Sequence, residues 1–184
     1  MTIIEEMKNS PVIAAVKDEG ALQNALKSKC KIIFVIYGDI SEIKEMVRLC
    51  HDAGKIIFLH IDLIKGVSKD KSGIIYIAKE FKPDGIITTK SSLIQVAKAA
   101  GMEAVFRVFL VDSTSVETAI QNINYCQANL VEIMPGIIPN LFHIVGKVTN
   151  ANLISGGLVS TREMVDQALL AGAISCSTSA ENLW

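Results

Sequence analysis

Eight short apolar runs, each followed by a stretch of helical periodicity, limit what this chain can fold into. They begin near Pro11 (PVIAAV), Ile32 (IIFVIYG), Ile56 (IIFLHIDL), Gly85 (GIITTK), Ala104 (AVFRVFLVD), Leu130 (LVEIMPG), Asn152 (NLISGGL) and Ala173 (AISCSTS). Continuous apolar character, rather than strict alternation, marks strands covered on both faces, and strands alternating with helices predict a parallel sheet. Eight units in 184 residues leave about 23 residues for each, with nothing over for insertions. The expected fold is therefore α/β: a compact (β/α)8, TIM-barrel-like fold with short or partly missing helices, formed by a single domain over residues 1–184. An open doubly wound sheet is the competitor, and the count of eight units disfavours it.

Turn chemistry agrees with this parsing. Gly54, Gly101 and Gly172 each follow an amphipathic run and precede a strand, where a helix end needs a residue tolerant of positive φ. Ser41, Ser91, Ser113 and Ser160 stand where helices should begin and are expected to cap them. Pro83-Asp84-Gly85 opens the fourth strand, and Pro135-Gly136 closes the sixth before Pro139 starts a helix.

The ends of the last two runs read as a phosphate cradle. Ser155, Gly156 and Gly157 follow the seventh strand and Ser177, Thr178 and Ser179 follow the eighth, where barrels commonly bind phosphate. Glycine lets an anion approach bare backbone N–H groups, and the hydroxyls add donors. Other strand ends carry charged or polar residues inside apolar runs: Lys17, His60, Asp62, Lys90, Arg107 and Glu132. Period-two alternation sends His60 and Asp62 to one side and aligns Thr88 with Lys90. The cations would bind an anion and the carboxylates would accept from vicinal hydroxyls, so the implied ligand is a small phosphorylated polyol. Arg107 with Glu132 is also the expected structural ion pair. His60, Asp62 and Glu132 form only a weak metal-binding pattern, and neither metal nor cofactor is expected.

Charge restrains the choice of partner. Eighteen basic residues against nineteen acidic give a net of −1, unlike a typical nucleic-acid binder. A local patch remains possible, since Ile64-Lys-Gly-Val-Ser-Lys-Asp-Lys71 places Lys65, Lys69 and Lys71 in one loop on the ligand face. No apolar run reaches the ~20 residues that span a bilayer, and the N-terminus lacks a basic secretory start, so a cytoplasmic protein with no membrane partner is expected. Cys30, Cys50, Cys126 and Cys176 show no metal or disulfide spacing and are expected to be reduced. A small barrel enzyme, isomerase- or aldolase-like and acting on a phosphorylated triose, is the alternative reading. Against it, the Met134-Pro-Gly-Ile-Ile-Pro139 turn is too short to make a closing lid.

The segments Gly54-Lys-Ile-Ile-Phe-Leu-His-Ile-Asp-Leu63, Asp84-Gly-Ile-Ile-Thr-Thr-Lys90, Arg107-Val-Phe-Leu-Val-Asp-Ser113, Glu132-Ile-Met-Pro-Gly136, Gly156-Gly-Leu158 and Ser177-Thr-Ser179 with Leu183-Trp184 together resemble the glycerol uptake operon antiterminator family. Their order and spacing, from about Pro11 to the end, carry the resemblance. Val108, Val111, Met134 and Val159 are conservative departures from it. The resemblance implies a non-enzymatic barrel that takes glycerol 3-phosphate as effector and acts on the leader mRNA of glycerol utilisation genes, preventing a terminator from halting transcription. RNA binding would then rest on local lysines such as Lys65, Lys69 and Lys71, summed over a possible homo-oligomer.

Overall fold

The computed structural model describes residues 2–184; Met1 lies outside them. The eight strands are β1 Val12–Val16, β2 Ile32–Val35, β3 Ile56–His60, β4 Gly85–Thr88, β5 Glu103–Phe109, β6 Leu130–Met134, β7 Asn152–Gly156 and β8 Ala173–Thr178. They pair in parallel and in sequence order, and β8 returns to β1 through Ile13 opposite Ser177. The sheet is a closed (β/α)8 barrel, as the eight apolar runs predict.

Helices follow seven of the strands: α2 Glu19–Lys27, α3 Ile40–Asp52, α4 Lys71–Glu80, α5 Ser91–Ala99, α6 Ser113–Cys126, α7 Pro139–Gly146 and α8 Arg162–Leu170. After β8 there is only a 3-10 turn, Glu181–Leu183. The helical element that sequence reading missed is α1, Ile3–Asn9, ahead of β1. Thr2 and Glu5 close a capping box on it, and this spacing was the available signal. Met7 is fully buried among Ile13, Ile32, Phe34 and Phe58, with Ile3 and Ile4 packed against the same cluster, so α1 closes the N-terminal end of the barrel.

Two apolar layers hold the fold. Inside the barrel, alternate residues such as Ile13, Phe34, Phe58, Ile87, Val105, Leu130 and Ile154 pack against one another, with the Phe34 and Phe58 ring centroids 5.3 Å apart. Gly85 faces this layer, and a Cβ there would lie 2.2 Å from the Phe58 ring. The other parity, including Ile33, Leu59, Ile86, Val131 and Cys176, packs against the helices.

The helix stops fall where expected: Gly54, Gly101 and Gly172 have φ of +65°, +84° and +107°. The predicted serine starts are corrected. Asp39, Asp112 and Thr161 cap α3, α6 and α8 in place of Ser41, Ser113 and Ser160, and α5 begins at Ser91 after Lys90 with no side-chain cap. At two of these starts an aspartate stands nearby. Its carboxylate accepts the orphan N–H more strongly than a hydroxyl and also favours the positive end of the helix dipole.

Candidate functional site

At the C-terminal ends of the strands a cavity of about 470 Å³ opens, walled by Ala15, Ile36, Arg107, Met134, residues 157–160 and residues 177–180. A larger groove of about 560 Å³ runs between α4 and α5, but its walls are mostly aliphatic, with Lys71, Lys79 and Gln95 as their polar side chains and no buried charged pair. The chemistry is at the mouth. Small Ala15 on β1 leaves the space, and the β7 and β8 ends supply the polar wall.

Arg107 and Glu132 stand side by side in the β5–β6 register. Glu132 is fully buried and Arg107 nearly so. Arg107 Nε donates to Glu132 Oε2 at 2.6 Å, and Ser177 Oγ donates to Glu132 Oε1 at 2.5 Å. Both carboxylate oxygens are therefore engaged by the protein. Gly156 is required by the same carboxylate, since a Cβ there would lie 2.4 Å from Glu132 Oε1. Among the described residues, the two terminal nitrogens of Arg107 donate to no protein group, which leaves a rigidly held cation at the cavity wall.

The loop after β7, expected as part of a phosphate cradle, lies beside it. Gly157 has φ +76°, in the region that favours glycine, and a Cβ there would rest in van der Waals contact with Met134 at 3.5 Å. Gly136 N donates to Gly156 O at 2.6 Å, tying the β6 and β7 loops together. Among the described residues, the backbone N–H groups of Leu158, Ser160 and Ser179 donate to no backbone acceptor. Ser179 is exposed at the mouth. Ser155 and Thr178 are turned elsewhere: Ser155 Oγ donates to Gly136 O at 3.1 Å and Thr178 Oγ1 to Val159 O at 2.5 Å. Trp184 Nε1 donates to Thr178 O at 2.9 Å, so the terminal Leu183-Trp184 folds back and braces the β8 end. Met134 and Trp184 belong to this architecture, and no charge pattern or turn spacing pointed to them as site residues; Ser160, expected as a helix cap, lines the cavity instead.

The remaining residues of the expected set lie outside the cavity wall. Asp62 accepts from Thr88 Oγ1 at 3.2 Å, Thr89 N at 2.6 Å and Thr89 Oγ1 at 3.0 Å, which fastens the β4–α5 loop. Lys90 is exposed and donates to Lys69 O at 3.0 Å. Its neighbour Ile87 faces the barrel interior, whereas Ile86 faces the helices, so the parity that joins Thr88 to Lys90 is the outward one. Lys17 is exposed at the rim after β1. Lys65, Lys69 and Lys71 are all exposed, with Lys69 Nζ on Asp62 O at 2.5 Å.

His60 is 3% exposed, and its Nδ1 has no hydrogen-bond partner, lying 4.0 Å from Asp62 Oδ2. Burial, and then the nearby Arg107 charge, push its pKa down to about 4, so it is neutral at pH 7. Among the described residues, no group of three or more His, Cys, Asp and Glu could hold a metal ion. All four cysteines are free and buried; burial pushes the Cys176 thiol up to about 11, which keeps it protonated and unreactive beside the cradle.

Comparison with known proteins follows the same lines. A crystal structure of a glycerol uptake operon antiterminator regulatory protein from Listeria monocytogenes str. 4b F2365 superposes with a TM-score of 0.92 at 31% identity, covering 96% of this chain and 95% of that one. An antiterminator-related protein from Thermotoga maritima MSB8 gives a TM-score of 0.85 at 31% identity, covering 95% and 98%. The protein YgcP of Escherichia coli K12, described as uncharacterized, is 36% identical over 184 residues, the whole of this chain and 96% of that one. Deoxyribose phosphate aldolase from Aeropyrum pernix, at 12% identity and a TM-score of 0.72, shares the fold alone. The family model described as "Glycerol-3-phosphate responsive antiterminator" matches residues 12–184, and the chain belongs to that family.

Proposed function

We propose that this protein binds glycerol 3-phosphate at the β7–β8 mouth and, so occupied, binds leader mRNA of glycerol utilisation genes and prevents termination of transcription. The cavity walled by Arg107, Gly157 and Ser177–Ser179 carries the reading. It offers a fixed guanidinium, hydroxyls and unpaired backbone N–H groups around a space suited to a small phosphate ester. In this reading Asp62 and Glu132 hold the walls, because their oxygens already accept from protein donors. An isomerase-like base would need a carboxylate able to swing onto a substrate proton, whereas Glu132 is fully buried and held at both oxygens by Arg107 and Ser177, which supports a sensor over an enzyme. For RNA the reading turns to the β1–β4 side of the mouth, where Lys17, Lys65, Lys69, Lys71 and Lys90 are exposed. Asp18, Asp39 and Asp70 on that side are committed to helix capping. Transcripts are made in the cytoplasm, where the protein would act; no helix among the described residues is long and apolar enough to cross a membrane.

Calorimetric titration with glycerol 3-phosphate, glycerol and inorganic phosphate, each followed by a leader-RNA binding assay, tests the proposal. Glycerol 3-phosphate should bind unchanged, glycerol should not bind, and RNA affinity should rise with the effector present. By linkage, RNA must raise effector affinity by the same factor. Consumption of a phosphorylated triose with no effect on RNA would replace this reading with the enzymatic one.

A further inference from the structure

The β5–β7 side of the mouth has a different character from the lysine-bearing side. Phe109 ends β5 at 55% exposure and Val111 follows it at 79%, Ile137 and Ile138 follow β6 at 40% and 42%, and Leu158 follows β7 at 71%. Leu110 N donates to Met134 O and Gly136 N to Gly156 O, so the three loops lie edge to edge and their apolar side chains form one rim beside the cavity. Leu158 is held at φ +63°, a conformation glycine would adopt without strain, yet it presents its side chain to solvent. No requirement of the fold accounts for this rim.

We infer that this rim is a two-fold interface to a second copy of the chain, with the two mouths facing. Charge and area select that partner. Segments 109–112, 135–140 and 157–161 contain no lysine or arginine, so they offer nothing to RNA phosphates. Their one acid, Asp112, is committed to capping α6. An uncharged patch meets its own copy without repulsion, as an isologous contact requires. These five residues, 40–79% exposed, present a mostly apolar patch on the order of a few hundred Å², the size of the largest patch on a typical monomer and enough for the core of an interface burying about 800 Å² per partner. Because Leu158 directly follows Gly157, pairing also covers the entrance to the cradle. On the effector reading above, a filled cradle and a paired rim therefore stabilise one another.

The test is sedimentation velocity on the full chain across a hundredfold concentration range, with and without saturating glycerol 3-phosphate. Two variants at exposed positions, Leu158→Gly and Val111→Glu, accompany it. The wild type should dimerise, at least tenfold more tightly with the effector. Leu158→Gly relieves the positive φ, so at concentrations where both proteins are monomeric it should melt no lower than wild type, and yet stay monomeric where wild type dimerises, which separates loss of contact from loss of folding. Val111→Glu should also be monomeric. A wild type that is monomeric throughout, or variants that dimerise as well as it does, would overturn the interface. Rim variants that keep the oligomeric state but lose leader-RNA binding would overturn it too, in favour of an RNA surface. If calorimetry finds no effector binding while dimerisation stands and responds to the rim variants, the effector reading fails and the interface does not.

Discussion

Replacing Glu132 with glutamine isolates the brace of the mouth. The carboxylate has no solvent exposure, and its two oxygens accept from Arg107 Nε at 2.6 Å and Ser177 Oγ at 2.5 Å. Glutamine keeps the shape and one acceptor, but it removes the charge that compensates a guanidinium 7% exposed. Breaking a buried pair from one side typically costs about 3–5 kcal/mol, and the retained hydrogen bond places Glu132→Gln near the lower end, about 3 kcal/mol. For a chain of this size that corresponds to a melting point lower by about 6–12 °C. Urea unfolding at pH 7 measures it directly, with the m-value unchanged. Adding Arg107→Met removes the stranded cation, so the double variant should lose about 1–3 kcal/mol less than the two single losses combined. The ligand response should go the other way. Glu132→Gln leaves Arg107 without its internal counter-ion, so stabilisation by glycerol 3-phosphate should be kept or enlarged, whereas Arg107→Met should abolish it. A loss below about 1 kcal/mol, or additivity within about 0.5 kcal/mol, would show that the pair does not brace the mouth.

Other perturbations separate the remaining roles. Gly157→Val should cost about 1–2 kcal/mol through the positive φ and remove effector binding while the barrel stays folded; normal calorimetric binding would move the phosphate site elsewhere. His60 binds a proton near pH 6.5 when unfolded but only near pH 4 when folded, so unfolding takes up a proton between these values. Stability should therefore fall by about 3 kcal/mol from this group as pH drops from 6.5 to 4. His60→Gln should flatten that acid limb in melts across the range, and equal slopes for the two proteins would contradict the burial argument. Changing Lys65, Lys69 and Lys71 together to alanine should weaken leader-RNA binding and reduce its salt slope without altering effector affinity. An unchanged slope in a filter-binding series would place the RNA elsewhere on the surface.

The barrel itself was legible in the chain. Each strand begins within about one residue of its apolar run, because a parallel strand buried on both faces needs continuous apolar character, and the glycine stops mark the backbone conformation that ends a helix. That order also marks the loops after the last two strands as the place to expect a phosphate cradle. The partners of the polar residues were not legible, since they are decided by which strand ends closure brings together. Asp62 meets Thr88 and Thr89 across 26 and 27 residues, and Ser177 meets Glu132 across 45. Lys90 looks like a ligand contact until the register shows that its parity faces outward, and Asp62 until its carboxylate is found accepting from Thr88 and Thr89. Gly156 looks like an opening for an anion until the Glu132 carboxylate is found against it. Composition and period fix the elements through local burial, whereas donor and acceptor pairing is a long-range property. In this protein only the closed barrel decides which donors the chain satisfies and which, such as the terminal nitrogens of Arg107, it leaves without a protein partner among the described residues.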